Sequence, residues 1–418
     1  MDDTALRRLL AEPIDWRYKG FPGDGQATVG TVAEQKWNLL RGDLPLPAVV
    51  LKESAVADNL EVVARWCRER GVLLAPHGKT TMAPQLFARQ LDAGAWAITA
   101  AHIGQVRVYR AFGVQRILLA NELVEPVALR WLAAELAADP SFEFYCLVDS
   151  TDAIAEMEAS LVGCQRPVQV LLELGYEGGR TGSRSSEEAA EVAAAVARSK
   201  TLELAGTECF EGLIGHDRSD QSLDAVDRLV QRLRETTIEL ARQGAFAGRE
   251  RVIVTAGGSA YFDRVAEILA GPWQLDTKVD VVLRSGCYVT HDIGLYERTS
   301  PLARELQPAL EAWGAVLSRP EPTLALVGFG KRDVSHDVDL PLPQLIQGAG
   351  GLREAAGMRV TALNDQHAYV QLPADDGLAV GDLVGCGISH PCTTFDKWRL
   401  IPVVDDDYTV VDAVATFF

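Results

Sequence analysis

The sequence is short of positive charge. Its 418 residues include 40 Lys and Arg against 58 Asp and Glu, so the formal net charge at pH 7 is −18. Nucleic acids and anionic lipid surfaces attract proteins with excess positive charge, so we predict no nucleic acid partner and no membrane partner. No apolar stretch reaches the roughly 18 residues of a membrane span. The start, Met1-Asp2-Asp3, also lacks the basic and apolar segments of a signal peptide.

Closely spaced cysteines are missing as well. The seven cysteines are scattered, and none forms a Cys-X-X-Cys pair. An odd number at such spacing argues against a disulfide framework and against a zinc ribbon. The composition, with 48% hydrophobic and 23% charged residues, is that of a folded globular protein. We therefore predict a cytoplasmic protein with reduced thiols.

Short apolar runs alternate with longer amphipathic segments between residues 72 and 285. Parallel strands joined by crossover helices give this pattern. Eight such runs predict a closed (β/α)8 barrel in an α/β protein, with an open doubly wound sheet as the alternative. The eight runs are 72–76, 96–100, 116–120, 144–149, 168–174, 203–210, 252–257 and 279–285.

The sequence pattern changes after about residue 300, where short apolar runs are separated by Pro and Gly residues. This pattern predicts a C-terminal antiparallel β domain. We assign residues 1–52 to an N-terminal arm and leading strand, 53–298 to the barrel and 299–418 to the β domain. The run at 47–52 could pair with either domain.

In a barrel of this kind, the chemistry lies at the carboxyl ends of the strands. Lys79 follows the first predicted strand on a short loop. A lysine there is either a solvated surface charge or a partly desolvated amine that is nucleophilic enough for a Schiff base. Arg180 follows the fifth strand among glycines, and its guanidinium would suit an oxyanion unless the loop is only a solvated turn.

Glycine-rich loops follow the seventh and eighth strands. Backbone N–H groups at such loops bind phosphate in many barrels without a basic side chain, although most glycine turns are only turns. Together with a lysine at the barrel mouth, they indicate a phosphorylated aldehyde cofactor. The candidate cofactor-binding residues are Lys79, Arg180, Gly257, Gly258, Ser259, Gly286, Cys287 and Tyr288.

His390 and Cys392 form a His-X-Cys pair in the predicted β domain. On an extended backbone both side chains can point to one face, and neutral imidazole and thiolate are good zinc ligands. A buried cysteine beside a hydrogen-bonded histidine is the simpler interpretation. Two ligands also fall short of the usual three at a catalytic zinc, so further donors would have to come from elsewhere.

These segments, taken in order, resemble the D-serine dehydratase and D-threonine aldolase family, and bacterial D-serine deaminase-like proteins in particular. The resemblance spans roughly residues 40–418. Proteins of this family bind pyridoxal 5'-phosphate and have an alanine racemase-like fold (fold type III). The resemblance rests on the segments 76–80, 180–182, 257–259, 286–289 and 390–392.

The resemblance implies a role for each segment. Lys79 forms the Schiff base with pyridoxal phosphate, Arg180 faces its phenolic oxygen, and the loops 257–259 and 286–288 hold its phosphate. His390 and Cys392 bind zinc. A homodimer is implied, because the active site of this fold usually forms between two subunits. His367 matches a recurring histidine whose role the sequence leaves open.

The sequence departs from the family near the pyridine nitrogen. Many members have a Tyr-X-Gly segment at the end of the sixth strand, whereas this chain has Phe210-Glu211-Gly212. Phenylalanine cannot make the hydrogen bond of a tyrosine hydroxyl. We therefore expect Glu208 or Glu211 to take that place and to keep the nitrogen protonated.

The expected reaction is dehydration of a β-hydroxy D-amino acid substrate, with D-serine giving pyruvate and ammonia. Zinc would assist departure of the hydroxyl group as a Lewis acid. Retro-aldol cleavage of the D-threonine aldolase type is the main alternative. The resemblance implies that the family's aldolases have a His-X-Asp pattern and its dehydratases a His-X-Cys pattern, so Cys392 favours the dehydratase. An amino-acid racemase and a noncatalytic pyridoxal phosphate carrier are the remaining alternatives.

Overall fold

The computed structural model describes residues 1–215 and 217–418. Helices in this part of the chain run over α1 (Asp3–Leu10), α2 (Glu53–Arg70), α3 (Pro84–Asp92), α4 (Ile103–Ala111), α5 (Pro126–Ala138), α6 (Thr151–Ser160), α7 (Ser186–Arg198), α8 (Asp220–Arg242), α9 (Phe262–Leu269), α10 (Leu295–Thr299) and α11 (Cys392–Phe395). Short 3₁₀ segments cover Val29–Gln35, Gly78–Thr80 and Cys287–Val289.

Strands in the same part of the chain run over β1 (Pro13–Asp15), β2 (Asp24–Thr28), β3 (Ala48–Lys52), β4 (Leu73–Leu74), β5 (Ile98–Ala100), β6 (Arg116–Glu122), β7 (Glu143–Val148), β8 (Val168–Leu174), β9 (Leu202–Cys209), β10 (Arg251–Ala256), β11 (Lys278–Leu283), β12 (Leu310–Glu321), β13 (Leu324–Val327), β14 (Leu342–Gly348), β15 (Gly351–Glu354), β16 (Arg359–Leu363), β17 (Ala368–Gln371), β18 (Leu383–Gly387), β19 (Leu400–Val404) and β20 (Val410–Ala415).

The chain divides into two compact units that are not continuous in sequence. The first unit contains residues 64–79 and 90–286 with Met1, and the second contains residues 2–63, 80–89 and 287–418. This division differs from the three consecutive segments expected from the sequence. The reason is that strand β3 and the N-terminal residues group with the C-terminal strands.

The first unit is a parallel (β/α)8 barrel, as predicted. Strands β4 to β11 correspond to the eight predicted runs and are neighbours in the order β4-β11-β10-β9-β8-β7-β6-β5. A parallel bridge between His77 and Thr99 and a 2.7 Å hydrogen bond from Trp96 N to Leu74 O join the two ends of this order. The sheet therefore closes on itself, which excludes the open doubly wound alternative.

The local sequence explains where the crossover helices begin. Helices α6, α7 and α8 each follow a serine, and the side chain of Ser150, Ser185 or Ser219 accepts a hydrogen bond from a backbone N–H of the first turn. Such caps satisfy donors that a helix leaves unpaired at its start. The barrel interior is filled by buried side chains from all eight strands or the residues beside them: Ala75, Ala97, Leu118, Tyr145, Leu147, Leu171, Ala205, Ile253 and Val282.

The second unit contains the predicted antiparallel β domain. Its strands follow the order β15-β14-β18-β12-β13-β17-β16. Strand β3, which the sequence could place in either domain, pairs antiparallel with β12 and parallel with β19. None of the seven cysteines, all within the described residues, forms a disulfide. Each described helix is too short or too polar to traverse a lipid bilayer.

Gly206 tests how closely two barrel strands pack. A Cβ atom added at Gly206 in β9 would lie 1.8 Å from the carbonyl oxygen of Ile253 in β10, whereas one added at Gly271 would have no atom within 4 Å. We expect Gly206→Ala to lower the free energy of unfolding by at least about 1–3 kcal/mol, because the strands must move apart. Gly271→Ala should change it by less than about 1 kcal/mol. Urea unfolding followed by circular dichroism measures both, and equal midpoints would contradict the packing described.

Candidate active site

Lys79 lies at the carboxyl end of β4, in the 3₁₀ segment Gly78–Thr80. Its side chain is exposed, and its ammonium group has no hydrogen bond or ion pair with the described residues. The backbone before it is tightly packed, because a Cβ atom at Gly78 would lie 2.6 Å from the Tyr109 hydroxyl oxygen. The structure thus presents a free amine on a fixed loop at the barrel rim, where the sequence predicted it.

His77 lies beside Lys79 on the same loop. Its Nδ1 atom is buried and has no hydrogen-bond partner. Burial, together with the positive charges of Lys79, Arg284 and Arg180, holds the pKa of the imidazole well below its ordinary value. These three cations and a neutral His77 therefore share the rim of the barrel.

Arg284 and Glu208 form a buried ion pair that the sequence analysis missed. Arg284 Nη2 lies 2.5 Å from Glu208 Oε1, and the two side chains are 2% and 1% exposed. Arg284 also donates hydrogen bonds to the Thr255 hydroxyl and to the Cys209 carbonyl oxygen, each at 3.1 Å. Burial raises the pKa of Glu208 to about 8, although the charge of Arg284 opposes the rise. Arg284 directly follows β11, and its position gave no sign of the distant partner.

The loop predicted to bind phosphate is partly engaged by a carboxylate. The N–H groups of Gly257 and Gly258 donate to the two oxygens of Glu211, at 3.1 and 2.6 Å. Both oxygens of Glu211 are thus used within the loop. Glu208 differs, because its Oε2 atom is buried without a hydrogen bond. Of the two carboxylates expected near a pyridine nitrogen, Glu208 is the one with a buried oxygen still unpaired.

Other donors of the loop remain available. The N–H groups of Ser259 and Gly286 make no hydrogen bond to the described residues. A Cβ atom at Gly286 would lie 2.5 Å from the His77 carbonyl oxygen, so only glycine lets these backbones approach. Ser259 is half-buried and lies three residues before α9, whose N-cap residue Tyr261 makes no side-chain cap. These donors at a helix start suit a phosphate group.

Arg180 lies on the loop after β8, as predicted. Its guanidinium carbon is 5.1 Å from the centre of the Phe210 ring. The loop is fixed by Arg184, which donates to the carbonyl oxygens of Gly182 at 2.6 Å and Gly179 at 2.9 Å. Phe210, which replaces the family's tyrosine, therefore supports an arginine through its ring face.

The second unit contains the predicted zinc ligands and brings a second thiol to them. The Sγ atoms of Cys392 and Cys287 are 3.6 Å apart, and each lies 3.6 Å from the Thr80 hydroxyl oxygen. The hydrogen bond with Cys392 lowers the pKa of the Cys287 thiol to about 6, although burial opposes this. Cys287 was predicted in the phosphate loop. The structure places its sulfur beside a predicted metal ligand, and Tyr288 next to it is buried.

His390 is held in a strained and oriented position. Its backbone φ is 53°, and its N–H donates to Asp292 Oδ2 at 2.8 Å. Its Nδ1 atom lies 2.6 Å from Asp337 Oδ2. Although burial opposes it, this contact with His390 holds the pKa of Asp337 below its ordinary value. An imidazole whose Nδ1–H donates to a carboxylate has its Nε2 lone pair free for a metal.

The two thiols of the second unit have the spacing of zinc ligands. A tetrahedral zinc ion with Zn–S bonds of ~2.3 Å holds two sulfurs about 3.8 Å apart, close to the separation of the two thiols. Among the described residues, no trio of His, Cys, Asp or Glu donors within 4.8 Å includes His390 or Cys392. His367, whose role the sequence left open, is exposed in the turn between β16 and β17.

His77 provides a pH test of the barrel rim. Because its pKa lies well below the ordinary value, the folded protein keeps it neutral where an unfolded histidine gains a proton. We expect its ring resonance in ¹³C-histidine-labelled protein to stay unchanged from pH 8 to about pH 5.5, below the unperturbed histidine pKa. The resonance is assigned by its loss in His77→Gln. A titration midpoint near that unperturbed value would contradict the burial described.

Two segments of the chain match known families. Residues 51–262 match the family described as "Alanine racemase, N-terminal domain", and residues 309–404 match the one described as "Putative serine dehydratase domain". The first match covers just over half of the chain. It coincides with the barrel strands up to β10 and the start of α9, and the second match lies within the β domain.

The similarity to known proteins extends over most of the chain. A D-threonine aldolase from Arthrobacter sp. is 25% identical over 86% of this chain and 89% of its own. A D-threo-3-hydroxyaspartate dehydratase from Delftia sp. is 26% identical over 81% of this chain and 86% of its own. The structure of a D-threo-3-hydroxyaspartate dehydratase mutant in a metal-free form has a TM-score of 0.73 and 21% identity, over 91% of this chain and 99% of its own. The crystal structure of D-threonine aldolase from Filomicrobium marinum has a TM-score of 0.77 and 25% identity, over 90% and 95% of the two chains. These matches confirm the resemblance: the chain belongs to the alanine racemase-like, fold type III family of pyridoxal phosphate proteins that joins this barrel to a serine dehydratase-type domain.

Proposed function

We propose that the protein is a pyridoxal phosphate- and zinc-dependent lyase that dehydrates a β-hydroxy D-amino acid, converting D-serine to pyruvate and ammonia. The names of both relatives, an aldolase and a dehydratase, support a lyase that acts on D-amino acids. The observation that carries the proposal is the contact of His390 Nδ1 with Asp337. His390 lies two residues before Cys392. This contact occupies Nδ1, so Nε2 of His390 and the thiol of Cys392 can act together as the His-X-Cys pair that is typical of the family's dehydratases.

The barrel rim supports the cofactor assignment. The unpaired amine of Lys79 is suited to covalent attachment of an aldehyde. The N–H groups of Ser259 and Gly286 are suited to phosphate, and the exposed guanidinium of Arg180 is suited to a phenolic oxygen. Buried polar atoms without partners are costly to a folded protein, so the unpaired Nδ1 of His77 and Oε2 of Glu208 fit a site that a polar molecule completes.

Lys79 performs the proton transfer in this proposal. When bound, pyridoxal phosphate supplies an electron sink for the electron pair left at Cα. The amine of Lys79 accepts the Cα proton at Nζ. His77 stays neutral and adds no further positive charge beside this amine. Arg180 provides a cation that binds an anionic oxygen on the same rim.

Residues of the second unit hold the metal in this proposal. Nε2 of His390 and the thiolate of Cys392 act as ligands, and Asp337 fixes the orientation of the imidazole. Cys287 supplies a candidate third ligand, because its sulfur lies 3.6 Å from that of Cys392. These residues would hold a zinc ion, which would supply Lewis acidity toward the β-hydroxyl oxygen of the substrate. Thiolate ligands favour zinc over harder metals.

Retro-aldol cleavage to glycine and an aldehyde is the second candidate. This candidate is supported by the 25% sequence identity to a D-threonine aldolase, which extends over 86% of the chain. The reaction would use the same parts, but the β-hydroxyl would lose its proton instead of leaving. Cys392 occupies the position at which the family's aldolases have an aspartate in the His-X-Asp pattern, and this difference favours the dehydratase.

Product analysis separates the two reactions. Purified protein supplied with pyridoxal phosphate is given D-serine, and pyruvate and formaldehyde are assayed together, before and after chelation. We expect pyruvate and ammonia in equal amounts, loss of activity on chelation and recovery with zinc. Formaldehyde with glycine would establish the aldolase instead. D-Threonine and D-threo-3-hydroxyaspartate, tested in parallel, identify the preferred side chain.

Two cysteine variants control for the metal. Cys392→Ser removes a predicted ligand, so zinc content and pyruvate formation should fall together, the latter by more than about 100-fold. Cys164→Ser removes a thiol of the barrel unit that donates a hydrogen bond to the Arg166 carbonyl oxygen at 2.8 Å. It should retain both zinc and activity. Full activity in metal-free Cys392→Ser protein would refute the zinc-dependent reaction.

A further inference from the structure

Three carboxylates meet at the carboxyl ends of neighbouring barrel strands. Glu122 is the last residue of β6, Asp149 follows β7, and Glu173 is the penultimate residue of β8. One side-chain oxygen of each lies within 4.8 Å of the other two. Among the described residues, this is the one trio of His, Cys, Asp or Glu donors that is so close.

The cluster is held in place but only partly satisfied. The Thr181 hydroxyl donates to Glu173 Oε1 at 2.8 Å, and the Gly182 N–H donates to Asp149 Oδ2 at 3.1 Å. Two other oxygens, Glu122 Oε1 and Glu173 Oε2, are buried without a hydrogen-bond partner. Glu173 is 3% exposed, so solvent does not satisfy it. A buried acceptor without a donor indicates that something else completes the site.

No basic residue of the described chain balances these charges. Glu122, Asp149 and Glu173 form no ion pair with any described Lys, Arg or His. Glu208 on β9 adds a further acidic group close enough to interact with Glu173.

We propose that Glu122, Asp149 and Glu173 bind one hard divalent cation, of the class of Mg²⁺, Mn²⁺ or Ca²⁺. Three oxygens within 4.8 Å of one another leave a central point no more than about 2.8 Å from each, and a small contraction gives the ~2.0–2.6 Å bonds of these ions. The donors are all oxygen, which favours hard cations over zinc. The site contains neither the candidate zinc ligands nor Lys79, so its cation binding can be tested separately from the proposed reaction.

The cation would fix the loop that carries Arg180. Thr181 and Gly182, the next two residues, donate hydrogen bonds directly to the cluster. A cation that holds the three carboxylates together therefore fixes the acceptors of these hydrogen bonds. We infer that it orders this loop and ties together the carboxyl ends of β6, β7 and β8.

Manganese binding tests the site. Mn²⁺ is titrated into zinc-loaded protein, and the free ion is measured by electron paramagnetic resonance. We expect one Mn²⁺ per chain, with competition by Mg²⁺ or Ca²⁺. Glu173→Gln and, as a second variant, Asp149→Asn should weaken binding by at least about 10-fold, because each removes a charged ligand. Glu125→Gln removes an exposed carboxylate three residues from Glu122 and should bind as the unchanged protein does.

Two outcomes would overturn the proposal. One is absence of Mn²⁺ binding in the zinc-loaded protein at millimolar concentration, together with a higher melting temperature for Glu122→Gln that does not depend on divalent ions. That result would show that a shared proton balances the cluster. The other is Mn²⁺ binding that Glu173→Gln and Asp149→Asn leave unchanged while circular dichroism shows both variants folded.

Discussion

Closure of the eight-stranded parallel sheet is the constraint on which the candidate chemistry of the barrel unit depends. Closure sets the carboxyl ends of all eight strands on one rim, so side chains far apart in sequence, such as Lys79, Glu208 and Arg284, become neighbours. The same rim concentrates polar atoms that the fold leaves unsatisfied, at a cost of about 1–3 kcal/mol each. The buried side-chain atoms without a partner, among the described residues, are His77 Nδ1, Glu122 Oε1, Glu173 Oε2 and Glu208 Oε2.

The sequence predicted the features that depend on local pattern. Each barrel strand is a short run of buried apolar residues followed by polar ones, and this pattern identified all eight strands and the rim position of Lys79. The β domain was recognisable from Pro and Gly spacing. Family motifs indicated a candidate cofactor and a candidate metal pair. The pair His390 and Cys392 could be proposed without knowledge of the fold, because the two residues are close in sequence.

Features that depend on pairing between distant residues were not predictable. Arg284 and Glu208 lie on different strands, and neither position has a local signal for an ion pair. The contact between Asp337 and His390 joins residues 53 positions apart. Strand β3 joins the sheet of the second unit through hydrogen bonds to β12, more than 250 residues later. Such partners are visible only in the folded chain. The same hydrophobic pattern is compatible with many ways of pairing the strands, and each pairing would bring different residues together.

We propose that the barrel rim holds an aldehyde cofactor on Lys79. Borohydride reduction of protein loaded with pyridoxal phosphate, followed by proteolysis and mass spectrometry, tests it most directly, because reduction makes an imine bond permanent. We predict one modified lysine per chain, in the peptide that contains Lys79. A reduced cofactor on another lysine, or loaded protein with no covalent adduct, would contradict this account.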